Sequence, residues 1–429
     1  MNTLFEKIRL VFTDNNLRKR VFVTVLLLVV FRMLAAIPIP GINGDRLSAF
    51  FADNQFLGLF NIFSGGGLSN LSIVMLGVGP YITASIIMQL MTMLSPRMKA
   101  MYQEEGEAGR KKFTQYSRML SIPLALVQAF GFLVLFQNQG IIDPLSSFEM
   151  VRNLAIATAG SLFLMWLGER ISEFGIGNGT SLIIFAGIIA VLPGTITQYV
   201  LANFYPVFNT AVLPSALGLL AGSLIVVYAV VVITEAERPI PVTYAKRVRG
   251  NKVYGGVSTY LPLRLNQAGV IPIIFALSIL LFPQVIFKFL AQINNAMIQN
   301  VSNWVLGVLQ NQWFYAALYF LMVFAFTYFY TAVTFDPEQI STNLQKNGAF
   351  IPGVRPGQST AIHISKILTR LTAFGALFLG IIAVLPLIVK ALVASASSIA
   401  IGGTALLIVV SVIIDLLKKI EAQVSLREY

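Results

Sequence analysis

The residues able to carry covalent or acid–base chemistry are few in this sequence, and they are not grouped. Cysteine is absent, so there is no thiolate nucleophile, disulfide framework or Cys-based metal site. The single histidine, His363, falls in a basic connection rather than an apolar run, so it can neither activate an intramembrane serine nor build a His-rich metal cluster. Glu235 and Asp415 stand at the ends of apolar runs and no carboxylate stands near the middle of one, which removes the paired aspartates of an intramembrane aspartyl protease. No Gly-Lys-Ser or Gly-Lys-Thr occurs, so the chain has no Walker loop. An ion-coupled transporter usually holds mid-span carboxylates or unwound carbonyls; here only a sodium site of carbonyls and hydroxyls stays open. The expectation is a non-enzyme without cofactor or metal.

The elements that must position any function are membrane spans. Of the 429 residues 56% are hydrophobic and 11% charged, where a soluble protein carries about a quarter charged. The mean hydropathy is +0.78. Ten apolar runs lie at roughly 21–37, 73–94, 119–136, 154–168, 181–200, 212–233, 268–290, 314–335, 371–390 and 399–417. Each approaches the roughly 20 residues that one crossing needs. Arg32, Lys288, Lys390 and Asp415 fall inside these windows close to an end, where long side chains are expected to snorkel to the interface. The formal net charge of +12 would suggest nucleic acid in a soluble protein. Here its placement is the signal. With the N-terminus inside, 25 of the 30 Lys and Arg residues fall in inner segments and four in outer ones, Arg32 completing the count. Both termini are expected in the cytoplasm. The first run reads as a retained helix after an amphipathic leader bearing Phe5, Ile8 and Phe12.

Five runs precede the connection at 193–211 and five follow it, so residues 1–200 and 201–429 form two halves of opposite orientation, an inverted-repeat arrangement. The Pro193-Gly194 pair and Pro206 mark that connection as a break. Residues 56–63 are apolar but too short to span, and Ser64-Gly65-Gly66-Gly67 follows. Such a segment must be covered by protein or line a cavity. It fits an interfacial re-entrant turn and a mobile half-helix hinged at the glycines equally well. Two inner connections, 234–267 and 335–370, exceed what a helix linkage needs. Their prolines, glycines and the run Lys246-Arg247-Val248-Arg249 describe shaped basic projections suited to an anionic partner. Without an ion-binding group, a cavity between the halves would be closed by apolar side chains that exclude water.

Six stretches in order carry a resemblance to a known family. They are Gly77-Val-Gly-Pro-Tyr-Ile-Thr-Ala-Ser-Ile-Ile-Met-Gln89, Gly175-Ile-Gly-Asn-Gly179, Tyr244-Ala-Lys-Arg247, Leu261-Pro-Leu-Arg-Leu-Asn-Gln-Ala-Gly-Val-Ile-Pro272, Gly348 to Gly357, and Gly402-Gly-Thr-Ala-Leu-Leu-Ile408. Over essentially its whole length the chain resembles the SecY/Sec61-alpha family, the pore subunits of the Sec protein translocase. The resemblance implies an all-α, ten-helix fold in two inverted five-helix halves around an hourglass pore. It implies a protein-conducting channel of the bacterial cytoplasmic membrane that passes unfolded secretory chains and releases signal sequences and membrane helices sideways. The closing ring would be Val78, Ile82, Ile184, Ile274 and Ile408, with Thr180 where another aliphatic residue is expected. Val78 and Ile82 are four apart and share a helix face. The plug would span roughly 57–70, with Phe60, Ile62 and the hinge Ser64, Gly65, Gly66 and Gly67. Thr83, Gln89 and Asn266 would form polar contacts at a lateral gate between the second and seventh spans. Implied partners are SecE, SecG, the motor ATPase SecA, the ribosome and membrane lipid. Docking would fall on Lys246, Arg247 and Arg355.

Overall fold

The computed structural model describes residues 14–40, 61, 64–68, 70–204, 213–244, 247–249, 252–254, 258–291, 295–392 and 403–428. The leader residues Phe5, Ile8 and Phe12 lie outside them, as do Phe60, Ile62 and Lys246. Each apolar run holds a helix. In the first half these are α1 (Asn15–Ala35), α2 (Gly79–Leu94), α4 (Gly106–Asn138), α5 (Ser147–Phe174) and α6 (Gly179–Phe204), with a short α3 (Pro96–Gln103) between α2 and α4. In the second half they are α7 (Leu213–Glu235), α8 (Ile271–Leu290), α10 (Gln312–Thr334), α12 (Gln358–Leu392) and α13 (Gly403–Glu428). Two further helices, α9 (Ala296–Gln310) and α11 (Pro337–Lys346), lie in connections. Among the described residues, six helices are long and apolar enough to cross a bilayer: α4, α5, α6, α7, α10 and α12.

Two boundaries differ from expectation. The second run begins not as a helix but as a chain of turns from residue 64 to 78, with α2 starting only at Gly79-Pro80. Gly77 has φ +58°, a left-handed value that breaks a helix, and Pro80 suits the first helical turn, where its missing N–H costs nothing. The 16 residues of α2 reach about 24 Å, short of a hydrocarbon core of about 30 Å. The expected break at Pro193-Gly194 is the second difference, because α6 runs through both residues to Phe204. The Thr195 and Thr197 hydroxyls donate to the Val191 and Pro193 carbonyls, at 3.0 and 2.8 Å. Membrane helices tolerate an interior proline in this way, and α6 continues without interruption.

Lipid is as apolar as leucine, so helix association in a membrane rests on close packing rather than on removal of surface from water. Glycines supply that packing here. A Cβ on Gly160 would meet the Ile73 carbonyl, and one on Gly179 the Gly168 carbonyl. The helices before and after residues 205–212 meet along two seams, α8 against α2 and α4, and α13 against α6. The largest core cluster runs through α1, α5, α6, α8, α10, α12 and α13, so it belongs to both halves.

The long inner connections carry the only strands among the described residues. β1 (Glu237–Tyr244) pairs antiparallel with β4 (Ser258–Arg264), and β5 (Ala349–Phe350), from the other connection, pairs with the end of β1. Between β1 and β4 lies the hairpin β2 (Arg247–Arg249) and β3 (Lys252–Tyr254). Pro239 sits opposite Pro262, a pairing that asks neither residue for a donor, and β5 joins only at Thr243 and Tyr244, beyond the prolines of β1. Turn-forming prolines suggested projections without a packed core. The sheet instead covers one, built from Ile240, Val242, Leu263, Ala349, Ile351 and Ile364. Alternation of large apolar with exposed residues along β1 is the local cause. The two connections therefore form one body. Glu237 accepts from Arg264 within the sheet at 3.3 Å and forms an ion pair with Lys418 of α13 at 3.6 Å, which ties the body to that helix.

Candidate functional site

The aliphatic residues expected to close a pore come from four separate elements. Val78 is the N-cap of α2, Ile184 lies one turn into α6, Ile274 lies at the start of α8 and Ile408 at the start of α13. All four are buried in the same cluster, and Ile82 packs against it partly buried. Two of these elements come from each half. Thr180 precedes Ile184 by one turn on the same helix and is half-buried. Among the described residues no Asp, Glu, Lys, Arg or His is buried. Aliphatic side chains of this kind offer an ion no ligand.

Beside it lies the irregular backbone of residues 64–68 and 70–78. Hydrogen bonds within it and to the chain after α1 pair several of its groups, as non-helical backbone at membrane depth requires. The Gly66 N–H donates to the Asn61 carbonyl at 2.8 Å and Ser72 N–H to Gly67 at 2.9 Å. Ile39 N–H donates to Leu71 and Ile73 N–H to Ile37, at 2.9 and 3.0 Å. Ser64 accepts from Leu68 N–H at 3.1 Å and donates to the Asn61 carbonyl at 3.0 Å, tightening the turn. Gly65 and Gly66 have φ +74° and +79°, so both need the left-handed freedom of glycine. Ser64, Gly65, Gly66 and Gly67 are all buried, so protein covers the backbone at these residues.

Three contacts seat the segment. A Cβ on Gly187 of α6 would run into the Gly65 backbone, and a Cβ on Gly65 would strike the Phe31 ring of α1. The guanidinium of Arg32 donates through Nη1 to the Gly65 carbonyl at 2.8 Å. Arg32 therefore departs from the expected snorkelling: it turns to a backbone carbonyl instead of reaching for water. Its charge strengthens that bond, a class worth about 1.5–3 kcal/mol. Sequence reading gave Arg32 only an interfacial role and passed over Phe31 and Gly187. The available signals were a charge inside an apolar window beside an aromatic residue, and a lone glycine within the run Leu182 to Val191.

The polar residues on α2 and at the entry to α8 behave otherwise than expected. The two helices do pack together. Yet Thr83 donates to Gly79 of its own helix at 3.0 Å, and Asn266 donates to the nearby Gly269 carbonyl at 3.2 Å. The Gln89 and Asn266 carbonyl oxygens are buried without a partner. The expected interhelical hydrogen bonds are thus replaced by local ones, since each short side chain finds a backbone acceptor within its own turn. The seam is held by packing alone and keeps two unmet acceptors.

On the sheet body, Arg355 is exposed while its loop is pinned: Thr360 Oγ1 donates to the Arg355 carbonyl at 2.8 Å, and Ser341 Oγ to Gly357 at 2.6 Å. Ile351 is buried beneath it and half-buried Val354 packs on the same core. Arg247 sits at the base of the β2–β3 hairpin, in register with Tyr254. Arg355 therefore belongs to the body built from two distant stretches of sequence, and Arg247 to the separate hairpin inserted between β1 and β4.

Comparison with known proteins agrees with this architecture. The SecY family pattern matches residues 72–417. The chain is 42% identical over 435 residues to the protein translocase subunit SecY of Halalkalibacterium halodurans, covering 99% of each chain. It is also similar to a solved protein-conducting channel, with TM-score 0.63 and 19% identity, covering 96% of this chain and 93% of that one. Sec61 in a canine ribosome–channel complex from the endoplasmic reticulum aligns with TM-score 0.59 and 18% identity, over 96% and 93% of the two chains. A pattern spanning most of the chain and a relative matched end to end leave one assignment: the chain belongs to the SecY family.

Proposed function

We propose that this chain is the pore of a protein-conducting channel, in which the buried aliphatic cluster is the closure and the Ser64–Leu68 segment part of the plug beside it. The observation that carries this reading is the convergence of Val78, Ile184, Ile274 and Ile408 from both halves into one buried aliphatic cluster, in a chain whose described residues include no buried Asp, Glu, Lys, Arg or His. A flexible polypeptide of any composition can slide past a collar of aliphatic side chains without being gripped, because the collar offers it no ligand. Seated, the plug adds a second barrier. The halves 1–200 and 201–429 would part along the α2–α8 seam, where packing without cross-helix hydrogen bonds holds the helices only weakly. That seam would serve as the lateral exit for signal sequences and membrane helices, with Thr83, Gln89 and Asn266 along it.

The energy would come from a partner, the SecA motor or a translating ribosome, acting on the sheet body that presents Arg355 and on the Lys246-Arg247 pair. SecE and SecG would complete the complex in the bacterial cytoplasmic membrane, with both termini inside. Reconstitution with those partners in vesicles tests this directly: an added preprotein should become protease-protected when SecA and ATP are supplied. A preprotein that stays fully digestible would contradict the channel reading. Arg355→Glu should lower the protected fraction about tenfold, the cost of setting a like charge against an anionic partner being about 1–2 kcal/mol, while the complex still assembles. Unchanged protection would reduce Arg355 to a topology charge.

A further inference from the structure

The helix α9 belongs to none of the parts described above. It follows α8 after residues 291–295, and Asn311 alone separates it from α10. α8 leaves the sheet body at its first residue and α10 returns to it at its last, so α9 lies at the end of the molecule opposite the sheet. Asn295 caps its start, accepting from Met297 N–H at 3.0 Å, and the Asn311 side chain caps the start of α10, accepting from Trp313 N–H at 3.1 Å.

Its 15 residues contain no charge, and at 100° per residue they divide into three faces. Ile298, Ser302, Val305, Leu306 and Leu309 are buried or half-buried on the side toward α8 and α10. Asn300, Asn303, Gly307 and Gln310 are exposed and polar or small. The third face is the anomaly. Met297, Val301 and Trp304 are exposed by 78%, 51% and 70%, and half-buried Val308 continues the same stripe within about 60° of arc. The stripe leads directly onto Trp313 and Phe314, exposed at the first turn of the apolar helix α10. A shallow groove of about 400 Å³ joins the two, lined by Asn303, Trp304, Gly307, Val308, Asn311 and Phe314.

We propose that α9 is an interfacial helix that binds the bilayer itself, seating the Met297–Val301–Trp304–Val308 stripe at the boundary between headgroups and acyl chains. Three observations select lipid as the occupant. The stripe is continuous with the lipid-facing surface of a membrane helix. Its tryptophan and Trp313, exposed at the first turn of α10, put two exposed tryptophans around one helix junction, and tryptophan is the residue favoured at membrane interfaces. The remaining two faces are already matched, one to protein and one to water, as a helix lying half-sunk beside a bundle requires. With no Lys or Arg in it, α9 holds the surface through apolar insertion and needs no anionic lipid. Its seat fixes the depth of the far end of α8.

The test places the full chain, carrying Trp166→Phe and Trp313→Phe so that Trp304 is the sole tryptophan, in vesicles of zwitterionic phosphatidylcholine. Phosphatidylcholine brominated near the headgroup end of its acyl chains should quench Trp304, while aqueous acrylamide should quench it weakly. Moving the tryptophan to the polar face, with Trp304→Phe and Asn303→Trp, should reverse the pattern. Quenching of Trp304 by acrylamide but not by bromolipid would overturn the proposal in favour of a wet face. Resistance to both quenchers would overturn it in favour of a protein covering. A nitroxide at Val301→Cys provides an independent reading: its relaxation should respond to oxygen more than to a water-soluble nickel chelate, and the opposite response would sink the idea.

Discussion

Replacing Gly187 by leucine should leave the channel unable to close. Gly187 and Gly65 approach so nearly that the first added carbon would enter the other residue's backbone. Backbone on one side and the Phe31 ring on the other give the segment nowhere to retreat while seated. Overpacking of this kind costs about 1–3 kcal/mol, a shift of roughly 5- to 150-fold between seated and displaced states. The upper part of that range applies because neither obstacle is the free end of a flexible side chain. Vesicles holding Gly187→Leu should leak ions in the absence of any translocating chain, while the protein assembles at ordinary levels. Arg32→Met should leak less, since it removes one charge-assisted bond and keeps the glycine contact. Vesicles as tight as the parent in both variants would show that the Gly65 seat does not hold the closed state.

The second large effect is expected from Ile408→Lys. Ile408 is fully buried among aliphatic neighbours from both halves. An isolated ammonium there would cost several kcal/mol unless water reaches it, and each 1.4 kcal/mol is a tenfold shift. Hydration is the cheaper outcome if the cluster is a constriction between two aqueous funnels. The variant should then conduct small anions at rest, because the closure depends on excluding water. Ile413→Lys on the same helix is the control. Ile413 is exposed, so its ammonium can reach the interface and the resting channel should remain tight. If Ile408→Lys only lowers the amount of folded protein and the remaining channels stay tight, the cluster is ordinary core.

Much of the membrane architecture was legible in sequence, since hydropathy and basic-residue placement act over whole segments. Where reading failed, the cause was local and three-dimensional. Pro193-Gly194 looked like a break, but α6 runs through it, since a proline inside a membrane helix removes one hydrogen bond without ending the helix. The start of the second run looked helical because its side chains are apolar, whereas Gly77 and the paired backbone around Ser72 keep it irregular. Arg32 looked like an interfacial charge, because sequence cannot show that an unpaired carbonyl lies 2.8 Å away, 33 residues further along the chain. The two long connections looked like separate projections. Their union needs β5 to meet β1, a contact between stretches about a hundred residues apart that no local pattern encodes. The ring residues depended on the family resemblance. Isoleucines in an apolar span are ordinary, and only their convergence in space singles out Ile184, Ile274 and Ile408.

Whether a polypeptide passes through the aliphatic cluster is the central question, and site-specific crosslinking addresses it most directly. Single cysteines at Ile82, Ile274 and Ile408 should each crosslink to a preprotein arrested in mid-passage, whereas cysteines at the exposed positions Leu220 and Ile413 should not. Crosslinks from Leu220 and Ile413 with none from the three cluster positions would place the translocating chain outside the cluster and contradict the account.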